Sequence, residues 1–208
     1  MGKRAERYTE SQRVQQRAIL AQEAARLISE HGIQDYRLAK SKAAQAFGLS
    51  DRGALPSNRE IEAALAERNR IFSAEQHVAR LDSLRRAALE VMQLLLPFRP
   101  CLVGPVLSGT VTEHSTIHLH AFSDAAEAVG QQLSAAGIAH QPTQRRYRLR
   151  HDEFAEFPGF EVWVTEFAAE VSVFPERRAG HPPLSPVDGR PMQRARLREV
   201  EQLLRSGG

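Results

Sequence analysis

Three side chains able to do chemistry recur at every second position near the middle of the chain: Thr116, His118 and His120 in "STIHLHAF". Ile117, Leu119 and Ala121 fill the positions between them. Successive residues of a strand point to opposite faces, so a strand here shows its hydroxyl and imidazoles on one side and an apolar row on the other. An imidazole can exchange protons, contact phosphate or ligate zinc. His114, His118 and His120 are therefore candidate transition-metal ligands, and the plain alternative is a polar strand face that holds no metal.

Two other stretches carry chemistry. Gly104 to Thr110 reads "GPVLSGT", and the backbone N–H groups of Ser108, Gly109 and Thr110 could cradle a phosphate or simply close a tight turn. "QRRYRLRH", residues 144–151, packs Arg145, Arg146, Arg148 and Arg150 around Tyr147. On a strand, Arg146, Arg148 and Arg150 share a face, where they contact phosphates or protect an exposed sheet edge by charge.

The elements that must position these residues follow from periodicity and breakers. Val14, Ala18, Ala21, Ala25 and Ile28 recur at helical spacing over 11–31, and Gly32 ends that run. A second helix is expected over 36–48, then a loop over 49–56. Ser57 and Glu60 form a capping box ahead of a third helix. Val78, Leu81, Leu84, Ala88, Val91 and Leu95 predict a longer helix over 74–96, which Pro97 stops.

Beyond that proline the texture becomes strand-rich. "RPCLVG" and "STIHLHAF" read as short strands, 124–137 as a helix and 139–151 as an exposed strand. "FEVWVTEF" and "AEVSVFP" read as further strands, with Trp163 expected in the core. A Pro/Gly loop precedes the final helix, "QRARLREVEQLLR". The expected class is α+β: a helical module over 1–73, then a mixed sheet flanked by helices over 74–208.

Composition narrows the function classes. The 208 residues are 42% hydrophobic and 25% charged, an ordinary soluble profile. No apolar run approaches the ~20 residues of a bilayer span, so no membrane partner is expected. "MGKRAERYTESQ" is basic with no apolar segment behind it and does not read as a secretory signal. One cysteine excludes a disulfide framework, and a cytoplasmic protein is expected. A net charge of +3 is too mild for a general nucleic-acid footprint.

The order strand, glycine turn, strand, helix resembles the nucleotidyltransferase superfamily with the polymerase-β-like fold, over roughly residues 76–175. That pattern is a Gly-Ser turn followed by Ser-Asp-x-Asp-Leu. Gly104 matches the turn glycine, Ser115 the serine and Leu119 the residue after the second aspartate. The resemblance implies that Gly104, Ser108, Gly109 and Thr110 approach nucleotide phosphates, with Arg146 and Arg148 as further phosphate contacts. It also implies two Mg or Mn ions on the aspartates and a third carboxylate from a later strand, for which Glu161, Glu166 and Glu170 are available.

The departures fall on the chemistry. Pro105 replaces the turn serine, Thr116 the first aspartate and His118 the second. Threonine and imidazole are poor ligands for a hard cation. The expectation is a nucleotidyltransferase fold with a degenerate metal site, non-catalytic, needing no cofactor and binding nucleotide, RNA or a protein. The alternative is an active transferase that uses Thr116, His118 and Glu170 with Mg or Mn in a non-standard arrangement. The N-terminal helices could bind a protein partner. They also resemble the opening of a helix-turn-helix regulator, but Gly53 and Pro56 would break its recognition helix, so DNA is not the expected partner.

Overall fold

Alanine-rich helices before residue 74 and β-branched strands after it give the two halves different ways to bury surface. The structure, a computed structural model, describes residues 2–48, 55–72 and 74–206. The chain is α+β and divides into two units, residues 1–74 with 112–114 and residues 75–111 with 115–208. Most of the loop expected over 49–56, and Gly53 within it, lies outside the described residues.

The first unit contains α1 (Gly2–His31), α2 (Tyr36–Ala46) and α3 (Asn58–Phe72). Its core is Ala21, Ala24, Ala25, Ala39, Ala43 and Ala44 closed by Leu20, Ile61 and Leu65. Small side chains at these contacts let helix axes approach closely. Asp35 caps α2 by accepting from the Arg37 and Leu38 amides at 2.6 and 3.1 Å. Ser57 and Glu60 form the reciprocal box at α3, at 3.2 Å from the Glu60 amide and 2.7 Å from the Ser57 amide. The Tyr36 hydroxyl donates to Glu62, tying α2 to α3.

The second unit runs α4 (Ala74–Leu94), β1 (Cys101–Val103), α5 (Pro105–Ser108), β2 (Ile117–Phe122) and α6 (Ala126–Ala135). It continues with β3 (His140–Arg148), β4 (Phe154–Val164), β5 (Phe167–Phe174), β6 (Ala195–Arg196) and α7 (Leu197–Ser206). The sheet order is β3-β4-β5-β2-β1-β6. Its neighbours are antiparallel except the parallel β2–β5 pair.

One sheet face is the main core. Ile117, Leu119, Ala121, Val162, Val171 and Val173 pack with Leu84, Val91 and Met92 of α4, Val129 and Leu133 of α6 and Val200 of α7. The apolar row predicted on β2 is thus fully buried. The helix expected over 11–31 starts at Gly2, and the expected final helix starts only at Leu197, after β6. Two further details also differ from the sequence reading. The α4 periodicity stops at Leu94 and gives way to a 3-10 turn over Leu96–Phe98, because Pro97 cannot continue the ladder. Trp163 is not in the core: it is 47% exposed, since strand alternation gives its neighbours Val162 and Val164 to the interior instead. Among the described residues no helix is long and apolar enough to cross a membrane.

Candidate functional site

The sheet face away from the helices carries the chemistry. His118 and His120 on β2, Glu170 and Ser172 on β5, and Arg145 and Tyr147 on β3 all project there by alternation. In the parallel register His118 stands opposite Glu170 and His120 opposite Ser172. The His118 Nδ1 lies 3.3 Å from Glu170 Oε2 and 3.0 Å from Arg145 Nη1. Arg145 Nη1 also donates to Glu170 Oε2. A bare Nδ1 accepts from Arg145, and a protonated Nδ1 donates to Glu170. Burial pushes the Glu170 carboxyl up, but the His118 hydrogen bond and the Arg145 charge outweigh it and hold it below its ordinary range.

Arg145 reaches β5 from β3, so it must pass over β4. Gly159 is the β4 residue paired with Ser172, and it has no side chain to obstruct that path. A Cβ there would strike the Val171 carbonyl oxygen. Beneath the Arg145–Glu170 pair, the Tyr147 hydroxyl and Ser172 Oγ share a buried hydrogen bond of 2.8 Å.

Further along the same face the polar row becomes enclosed. His120 is fully buried beside Tyr147 and Phe174, its ring edge-on to Tyr147 with centroids 5.4 Å apart. Its Nδ1 accepts from Arg194 Nε at 3.1 Å, so its proton sits on Nε2. Burial, then the positive charge of Arg194, hold the His120 imidazole well below its ordinary pKa. Arg194 also donates to the Arg178 and Ala179 carbonyls at 3.3 and 2.9 Å, and stacks 4.9 Å from the Phe122 ring. The segment around residues 178–194 therefore roofs this end of the face, with Ala179 and Met192 packed on Tyr147, Phe157 and Phe174. The His118 end stays partly open: His118 is 15%, Glu170 17% and Arg145 40% exposed in their side chains.

The glycine turn lies beside that open end. Val103 pairs with His118, and Gly104, in a left-handed conformation at φ 72°, faces the His118 ring. The turn is one helical turn, α5, and its amides are used internally. Ser108 N–H donates to the Gly104 carbonyl at 3.0 Å, and Gly109 and Thr110 N–H donate to Pro105 at 2.8 and 3.1 Å. What Ser108 and Thr110 offer a ligand is their hydroxyls, which bond each other at 2.9 Å. Two α4 residues hold the turn from behind. His77 Nε2 donates to the Gly109 carbonyl at 2.9 Å, and buried Arg85 donates to those of Val106 and Leu107 at 3.2 and 3.4 Å.

The structure does not bring all the sequence candidates together. Thr116 precedes β2. His114 packs in the first unit, where its carbonyl accepts from Gln34 at 3.3 Å. His118 and His120 each have different partners, and among the described residues no three His, Cys, Asp or Glu side chains are grouped to hold a metal. Arg146 and Arg148 sit on the opposite sheet face from Arg145, with Arg146 stacked 4.5 Å from the Phe154 ring. Arg150 follows the strand end and pairs with Glu153 at 3.6 Å. No family model, no curated protein and no solved structure matches the chain.

The site gained three members that the sequence reading did not select. Arg145 was legible only as one of four arginines, and its i, i+2 relation to buried Tyr147 was the available signal. Ser172 and Arg194 carried none, because their roles depend on pairing across strands distant in sequence. The donor set does not suit a pair of Mg or Mn ions. Glu170 is the one carboxylate opposite β2, and Arg145 already occupies it.

Proposed function

We propose that the protein is a non-catalytic member of the nucleotidyltransferase fold that binds a nucleotide through its phosphates without a metal. The observation that carries this reading is Arg145, bonded to both Glu170 and His118. The resemblance puts cation-binding carboxylates on this face, and here a guanidinium is bonded to the one carboxylate opposite β2, Glu170. Its charge cancels that of Glu170. A guanidinium has five N–H donors, and a side chain 40% exposed keeps some for an incoming anion. With Nδ1 accepting from Arg145, the His118 ring carries its N–H on Nε2, a second donor. The left-handed Gly104, which leaves room over the His118 ring, supports the same reading.

The test is calorimetry with ATP in the presence of EDTA, together with an assay for pyrophosphate release with Mg²⁺. Binding without metal and no pyrophosphate release are expected. Arg145→Ala should weaken binding at least several-fold and flatten its salt dependence. Arg146→Ala with Arg148→Ala should leave it unchanged, because those side chains face the other way. If the wild type shows no affinity, or releases pyrophosphate from ATP, the proposal is wrong.

A further inference from the structure

We infer that Trp163 is the stacking platform for the base of the bound nucleotide, so the site grips the ring by its face and does not read its edge. The inference rests on the nucleotide-binding reading above. Trp163 is the chain's one tryptophan. It is 47% exposed on β4, and among the described residues its ring has no aromatic, cationic or hydrogen-bonding partner. A large indole left in water on a strand forgoes the burial that usually places tryptophan.

Register puts this ring on the same face as the site. Glu161 pairs with Glu170, and Glu170 with His118. Trp163, two residues on from Glu161, projects to the same side and pairs with Ala168. Two strand spacings across and one pleat repeat along separate the Trp163 and His118 Cα atoms by roughly 12 Å. A nucleotide bridges such a span between its base and its outer phosphates. Ala168 is small and exposed, so no neighbouring side chain on β5 covers the indole.

The surroundings select a small planar ligand over a protein. Ala139 and Ala168 flank the ring across the strands and Glu161 and Glu170 lie along them, so the exposed apolar surface is one indole with two methyl groups beside carboxylates. Protein interfaces form on larger contiguous apolar patches. An isolated exposed aromatic beside a guanidinium matches the pairing of stacking and phosphate contact that holds bases without regard to sequence.

A single tryptophan makes the emission of the whole protein report on this residue alone. Wild type is titrated with ATP, CTP and inorganic tripolyphosphate in EDTA, with binding measured in parallel by calorimetry. ATP and CTP should both change the tryptophan emission, ATP more strongly because a purine stacks over more area, and tripolyphosphate should bind with no such change. Trp163→Ala should weaken ATP about tenfold and leave tripolyphosphate unaffected. Trp163→Phe should recover part of the loss, which separates stacking from damage to the fold. ATP binding with unchanged emission and equal affinity in Trp163→Ala overturns the inference while the phosphate site stands. Failure of both ATP and tripolyphosphate to bind wild type overturns the nucleotide-binding reading and this inference with it.

Discussion

His118 and Glu170 stand directly opposite each other in the parallel β2–β5 register, with Nδ1 and Oε2 3.3 Å apart. Parallel pairing matters here because it joins strands 52 residues apart, from 118 to 170, on one face. Arg145 then closes the group from β3, over the gap that Gly159 leaves in β4. The result is a compact, internally neutralised polar cluster at the open end of a face whose other end is roofed.

The enclosed end predicts a specific pH dependence. His120 is buried and neutral, with its folded pKa depressed by burial and by Arg194, His118 and Arg145. Its unfolded pKa is near 6.5. A depressed folded value means that unfolding takes up a proton once the pH falls below about 6.5. Stability is therefore full above that pH and declines below it, by at most ~1.4 kcal/mol per pH unit for this one proton. Urea unfolding at pH 7, 6 and 5 should show His120→Gln losing less stability on acidification than wild type. An identical slope in the two proteins refutes the account of His120.

The Tyr147–Ser172 bond gives a second expectation. Tyr147→Phe leaves the buried Ser172 hydroxyl unpaired and should cost about 1–2 kcal/mol. The urea midpoint should fall with no change in the slope of the transition. Adding Ser172→Ala should cost less than it does alone, since both changes remove the same bond. Strict additivity of the two losses shows that the bond contributes nothing.

How much of this was legible in the sequence follows physical range. The α1, α2 and α3 helices, the capping box at Ser57 and the inward row on β2 depend on neighbours within one turn or one pleat, and local pattern carried them. Trp163 was misplaced because a strand rich in apolar residues does not reveal which alternate set meets the core. Here Val162 and Val164 take the interior and the larger indole is left outside. The histidines shared a type, and their separate fates came from partners far along the chain. Arg194, 74 residues on, reaches His120, and Glu170, 52 residues on, reaches His118. Within "QRRYRLRH" the strand phase decides which arginines reach the site, and it is fixed by burial of Tyr147 against Phe157 and Phe174.

On the proposed reading, Arg145 bound to Glu170 and His118 opposite it leave this face unable to hold the divalent cations that the resemblance implies. The most direct measurement is the thermal melt with and without Mn²⁺ of wild type and of His118→Asp, Arg145→Ala. The variant sets a carboxylate at position 118 opposite a freed Glu170, with Glu161 paired to Glu170 on the same face, three hard oxygen donors for a divalent cation. Without metal it should melt below wild type, because like charges crowd together. Mn²⁺ should recover several degrees by binding the folded state, while the wild-type melting point stays unmoved. A rise of the same size in both proteins would contradict the account, since the native residues would then hold the metal themselves.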